Sequence, residues 1–283
     1  IYYDFSGYSD MAVGLARMFG LRLAINFYSP YRSTSITEFW RRWHMPLSRF
    51  LRAYLYIPLG GNRCSPVRRY VNLMLVMLLG GLWHGANWTF VVWGGTHGLL
   101  LCLHHGWLAL PIRRHALFAT RPARMAAIAL TFLLVTLAWV PFRAASIANA
   151  ETMLGHLIPG WSQPGWLDSF RGLCQSQFGQ LGIDTWFRPR ELWPPALPPD
   201  YLATAARPAG WLLLGVGLAT FLLPNTAQIF RRFDPVLGAP EDPGTRWSGI
   251  RRLDARLAVV LAGMFVITVL GMARVSPFLY FQF

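Results

Sequence analysis

The sequence predicts an all-α integral membrane protein, and three observations carry that prediction. Hydrophobic residues make up 54% of the chain and charged residues only 13%, about half the charged share of a soluble domain. Apolar stretches of helical length alternate with arginine-bearing loops, the pattern left when basic residues stay on the cytoplasmic side of a membrane. His84 lies in Gly81-Leu82-Trp83-His84-Gly85-Ala86, a glycine-flanked break between apolar runs. An ionisable side chain at bilayer depth is costly and points to a functional site. A broken helix is tolerated there only where protein or a wet cavity surrounds it.

The elements follow in chain order. Residues 10–23 carry an apolar stripe at helical spacing, with Ser9 or Asp10 as the cap. Residues 37–55 predict a second helix, amphipathic and rich in arginine and tryptophan through Trp40, Arg41, Arg42 and Trp43. That mixture suits an interfacial or re-entrant helix better than a clean span. Pro58, Gly60, Gly61 and Asn62 make residues 58–62 turn material. Residues 67–82 form an apolar helix shorter than the ~20 residues needed to cross hydrocarbon, so it delivers His84 to the membrane interior. Residues 87–110 are long enough to span. The segments 123–142, 211–223 and 257–272 complete the apolar set, the second of them marginal in length.

Arginine placement then gives a topology. The 111–124 loop holds Arg113, Arg114, Arg121 and Arg124, and the 224–256 loop holds Arg231, Arg232, Arg246, Arg251, Arg252 and Arg256. Both are placed in the cytoplasm and the proline- and tryptophan-rich 143–208 segment outside. Within that segment, 159–210 reads as irregular loop with room for one short helix. The net charge is +14 and every basic side chain is arginine. These arginines lie between apolar segments and form no single stripe, which argues against nucleic acid as a partner. The chain opens at Ile1, without a charged leader, on residues that already read as motif, which predicts the C-terminal part of a longer protein. Cys64, Cys102 and Cys174 form neither a disulfide framework nor a CxxC metal pattern.

Between Glu38 and Glu151 there is no Asp or Glu. His44 and His84 both fall in that stretch, so neither belongs to an HExxH zinc site and no metal is expected. A paired-carboxylate mechanism cannot arise within it, and the chain has no P-loop and no GxSxG. A catalytic His84 would act as a neutral imidazole, the form that takes a proton from a hydroxyl. Its orienting partner would be Asn72, Asn87, a backbone carbonyl, Asp4 or Asp10. The competing reading is a histidine that only packs and hydrogen-bonds between helices.

Two long motifs resemble one family. Trp40-Arg41-Arg42-Trp43-His44-Met45-Pro46-Leu47-Ser48 and Gly81-Leu82-Trp83-His84-Gly85-Ala86-Asn87-Trp88 look like the membrane-bound O-acyltransferase (MBOAT) family. The nearest branch is the bacterial alginate O-acetyltransferase type, related to the D-alanyl transfer protein of teichoic acid modification. Asp4-Phe5-Ser6-Gly7-Tyr8-Ser9-Asp10, Tyr56-Ile57-Pro58-Leu59-Gly60-Gly61-Asn62, Pro224-Asn225-Thr226 and Tyr280-Phe281-Gln282-Phe283 resemble further landmarks. Val140-Pro141-Phe142-Arg143-Ala144 departs from the usual Phe-Phe-Arg-Ala phrase by its proline, which is expected to kink the helix end.

The resemblance implies a ring of transmembrane and re-entrant helices around a funnel and tunnel. It implies one membrane domain over 1–283 with its N-terminal helices missing. Residues 1–65 would be motif-bearing re-entrant or interfacial helices, 66–142 the catalytic-histidine helices, 143–208 an extramembrane loop, and 209–283 the C-terminal helices. By position His84 matches the family's catalytic histidine and His44 its other motif histidine, which would hold the donor, tune His84 or anchor the interface beside Trp40 and Trp43. Trp83, Asn87, Arg41 and Arg42 are the candidate substrate and donor contacts, with lipid head groups an equal explanation of the arginines. Trp83 and Trp88 would line the tunnel or pack in the core, the commoner fate of tryptophan, His97 would pack between helices, and His104 and His105 would meet the interface. His115 and His156 read as loop residues.

The implied reaction moves an acyl group, acetyl by branch, from a cytoplasmic thioester such as acetyl-CoA to hydroxyls of an extracytoplasmic polysaccharide such as alginate or cellulose. No bound cofactor is implied. Membrane lipid and periplasmic acetylation accessory proteins are the implied partners, and the bacterial inner membrane, crossed several times, is the implied location. A transporter or export channel, or a non-catalytic scaffold of a polysaccharide secretion complex, are the alternatives. A transporter predicts paired repeats and intramembrane charges, and the sequence shows no repeat.

Overall fold

Two capped helices and the glycines between them position the site. The computed structural model describes residues 1–111, 120–157, 199–240, 250 and 254–271. Arg113, Arg114, His115, Cys174, Arg246, Arg251, Arg252, residues 280–283 and most of 143–208 lie outside the described residues, as do the side chains of His156 and Arg256.

In chain order the helices are α1 (Tyr2–Met18), α2 (Ile36–Arg42), α3 (Met45–Leu51), α4 (Pro66–Trp83), α5 (Trp88–Ala109), α6 (Arg121–Arg143), α7 (Ile147–Leu157), α8 (Pro199–Leu222), α9 (Thr226–Ile229) and α10 (Ala255–Gly271). A π-helical turn, Arg52–Tyr56, extends α3. The described residues contain no strand, only an isolated parallel bridge between Ala24 and Leu237. That bridge ties the stretch after α1 to the stretch after α9.

Ser65 starts α4 by accepting the Arg68 amide, with Pro66 in the first turn, where its missing N–H costs nothing. Asn87 starts α5 by accepting the Thr89 amide. The two helices form a hairpin closed by His84 to Asn87. A Cβ at Gly81 would collide with the Phe90 carbonyl, one at Gly94 with the Met77 carbonyl, and one at Gly98 would come within 2.8 Å of the Met74 sulfur. Glycine lets the backbones touch, and close packing is what joins helices where lipid removes the hydrophobic drive. Gly85, at φ +153, takes the turn with a Cβ position only 2.7 Å from the Phe90 ring.

An aromatic core joins α2, α5 and α6 over this hairpin. Phe39 and Trp40 of α2, Trp93 of α5 and Phe142 of α6, with Trp43 just past α2, are buried in one cluster, and Val135 of α6 is fully buried beside them. Ser35 caps α2 by accepting the Glu38 amide, while Glu38 reaches back to the Thr34 amide at 2.8 Å.

The helices expected over 67–82, 87–110, 123–142 and 257–272 form within two residues of those bounds. The first two elements need correction. α1 begins at Tyr2, so Ser9 is a buried mid-helix residue and Asp10 is not a cap; the helix ends before Gly20, which sits at φ +75. The helix expected over 37–55 is broken at His44, whose φ of +39 no helix continues through, and α3 restarts with Pro46 in its first turn. α8 begins at Pro199 rather than near 211, and α7 occupies the start of the 143–208 segment, so both ends of that loop are helical. Pro141 sits inside α6, which ends at Arg143. Among the described residues one helix, Arg121–Arg143, is by itself long and apolar enough to cross a membrane.

Candidate active site

His84 caps α4, its amide bonded to the Gly81 carbonyl at 3.0 Å, and its ring is half-buried at the closed end of the hairpin. Rings hold it in place. Ring centroids lie 5.0 Å away at Trp83, 5.2 Å at Trp93 and 5.1 Å at Phe142, each met edge to face. Three of the four side chains weighed as its orienting partners, Asn72, Asn87 and Asp10, make bonds elsewhere. Asn72 donates to the Leu59 carbonyl at 2.9 Å, Asn87 accepts the Thr89 amide at 2.9 Å, and Asp10 accepts from Thr226 at 2.7 Å. Among the described residues, aromatic packing sets the plane of this imidazole.

His44 occupies the left-handed break between α2 and α3, and that break brings it to the same place. Its ring lies 6.3 Å from Trp83, which is 5.0 Å from His84, so one indole meets both imidazoles. Phe5 and Phe27 flank its other sides. Asn26 Oδ1 lies 3.1 Å from His44 Nδ1, and the Asn26 amide in turn donates to Ser9 at 3.2 Å. An amide oxygen only accepts, so Nδ1 of His44 carries the proton and Nε2 keeps its lone pair. Asn26 was not among the sequence candidates.

Trp83 is 60% exposed, so its other face is open for a ligand or a neighbouring segment. Arg41 and Arg42 part company. Arg42 pairs with Glu38 at 2.8 Å and lies over the Tyr28 ring, whereas Arg41 faces a separate cavity. Burial alone would raise the Glu38 carboxyl, but hydrogen bonds from Thr34 and the Arg42 guanidinium overcome that and hold it below the ordinary carboxylate value. His97 is fully buried, stacked on Phe39 and edge-on to Trp40 and Trp93. Among the described residues neither of its nitrogens has a hydrogen-bond partner. His104 bonds Thr37 at 2.8 Å, tying α5 to α2. The site thus offers two neutral-capable imidazoles in an aromatic setting, with no group of metal-binding side chains among the described residues.

A profile of MBOAT, the membrane-bound O-acyltransferase family, matches residues 1–148, which hold both histidines and Trp83. The chain belongs to the membrane-bound O-acyltransferase family. It is 41% identical over its whole length to a probable alginate O-acetylase, AlgI, of Pseudomonas putida, covering 51% of that protein. A peptidoglycan O-acetyltransferase of Helicobacter pylori is 48% identical over 56% of this chain and 29% of its own length. A teichoic acid D-alanyltransferase of Streptococcus thermophilus is 33% identical over 38% of this chain and 28% of its own. The chain spans about half the length of the longest-matching of these MBOAT relatives.

Proposed function

We propose that this chain belongs to a membrane O-acyltransferase that moves an acyl group, acetyl by its relatives' names, towards hydroxyls of an extracytoplasmic glycan. The observation that carries the reading is the meeting of both motif histidines on the Trp83 indole at the hairpin's closed end. The donor is a thioester of the acetyl-CoA class reaching the site from the cytoplasmic side. The acceptor hydroxyl attacks the thioester carbonyl, a C–O bond forms, the C–S bond breaks, and the thiolate leaves. His84 removes the hydroxyl proton and returns it to the leaving thiolate, work for which a positioned imidazole contributes about 10²–10⁴-fold.

His44, with Nε2 kept as an acceptor by Asn26, acts beside it on the donor or on the His84 ring. Trp83 forms one wall of the acyl passage. Alginate and peptidoglycan are the acceptors suggested by the relatives' names, cellulose is a further polysaccharide of the same chemistry, and periplasmic accessory proteins complete transfer to the polymer. The protein lies in the bacterial inner membrane as a multi-pass ring of helices.

The test is the ester content of cell-surface glycan in cells carrying the full-length gene, wild type against His84→Ala, at matched membrane expression. Loss of ester is expected. Unchanged ester returns His84 to packing and favours the scaffold alternative.

A further inference from the structure

Pro224-Asn225-Thr226 touches neither histidine, yet its side chains reach the loop that carries Asn26. Asn225 caps α9 through a reciprocal pair: its Oδ1 accepts the Gln228 amide at 2.9 Å, and its own amide donates to Gln228 Oε1 at 3.0 Å. Capping uses only the side-chain oxygen, and the remaining Nδ2 donates outward to Ser29 Oγ at 2.9 Å. Ser29 is buried and left-handed, at φ +47. Beside it Thr226 donates to Asp10 of α1 at 2.7 Å. Further along, Leu237 holds the other end of the same loop, accepting the Ile25 amide at 3.1 Å and donating to the Leu23 carbonyl at 2.9 Å.

The loop gripped at both ends is the one that holds His44. The Tyr28 amide donates to the Arg42 carbonyl at 2.9 Å and the Met45 amide to the Asn26 carbonyl at 3.0 Å, so residues 26–28 pair with the chain on both sides of His44. Between those two bonds stand the Asn26–His44 side-chain bond and the left-handed backbone of His44 itself, at φ +39. A non-glycine residue in that conformation is strained and persists only where its surroundings over-determine it. All three such residues among those described, Ser29, His44 and Asp234, lie in these paired segments. We infer that Asn225 is a positioning residue for His44: through Ser29 it fixes the 26–29 loop, and the loop fixes the imidazole. That this matters to turnover rests on the acyl-transfer reading above; the link from Asn225 to the His44 ring does not.

The experiment uses the full-length protein in lipid bilayers with isotope-labelled histidine nitrogens, read by solid-state NMR. The His44 ring signals are assigned by their loss in His44→Gln. The two tautomers of an imidazole give separate nitrogen signals, and wild type should show one, with the proton on Nδ1. Asn225→Ser keeps a good helix cap but is too short to reach Ser29. Its His44 signals should split between tautomers, and thioester turnover should fall by about tenfold, short of the ~100-fold that a misplacement of about 1 Å costs. Asn225→Asp should restore both, because a carboxylate still caps α9 and accepts from the Ser29 hydroxyl. Wild-type His44 signals in folded Asn225→Ser overturn the inference. Should that variant fail to fold, Ser29→Gly takes its place: glycine keeps the left-handed backbone without strain and removes only the hydroxyl. Unchanged His44 signals there overturn the inference equally. Shifted signals with turnover at the wild-type rate support the link and count against His44 in acyl transfer, so the two failures are read separately.

Discussion

Asn26 Oδ1 and His44 Nδ1 lie 3.1 Å apart, and that bond decides which ring nitrogen of His44 is free to act. The consequence is a graded pair of variants. Asn26→Leu keeps the volume but removes the acceptor, and a misplaced or wrong-tautomer imidazole lowers acyl transfer by about 10–100-fold. Asn26→Asp keeps an acceptor and retains more activity than Asn26→Leu. Equal activity of the two, measured as thioester turnover at matched protein, contradicts the role.

The glycine contacts of the hairpin separate positions that look alike in sequence. Gly81→Ala drives a methyl into the Phe90 carbonyl, whereas Gly106→Ala meets nothing within 4 Å. Overpacking of this kind costs about 1–3 kcal/mol, and an unobstructed helical alanine gains up to about 1 kcal/mol. Thermal unfolding of the detergent-solubilised full-length protein should therefore fall for Gly81→Ala and hold or rise for Gly106→Ala.

His97 is buried, and among the described residues both its nitrogens are unpartnered. Replacing an unsatisfied polar group by an apolar one of similar shape is close to neutral, so His97→Phe, which keeps the stack on Phe39, should change stability by no more than about 1 kcal/mol. His97→Ala leaves a hole in the aromatic core and should cost about 3–5 kcal/mol. Equal losses for both would mean that the imidazole makes a polar bond essential to the fold.

The Glu38–Arg42 pair has a pH signature. The folded carboxyl is held below its ordinary value, so its contribution is present above the unfolded-state value and disappears as pH falls through the folded one. The pair is partly solvated and worth about 0.5–1 kcal/mol. Wild type should lose that increment on acidification toward the carboxylate range, and Glu38→Gln should show a flatter melting-temperature profile over the same window.

The apolar helices were legible because composition alone defines them. α4, α5 and α6 are runs without acidic residues, bounded by Ser65, Asn87 and Thr120 as caps. The break at His44 was less legible, because Trp, Arg and His continue the amphipathic pattern across it; only Pro46 marks it, by starting a new helix in its first turn. Pro199 similarly opens α8 from inside a proline-rich stretch that reads as loop. Both motif histidines were found in the sequence. Their meeting on Trp83 was not, since it depends on how α2 folds back against the hairpin. Asn26 had no local signal, because its role is to touch a residue 18 positions away.

In the proposed mechanism His84 carries the proton in acyl transfer. Its most direct test is the initial rate of acetyl-thioester consumption by the full-length protein in membrane vesicles, with acceptor present and folded protein matched between wild type and His84→Ala. The rate should fall by about 10²–10⁴-fold in the variant. A His84→Ala protein that turns over the thioester at the wild-type rate would contradict it.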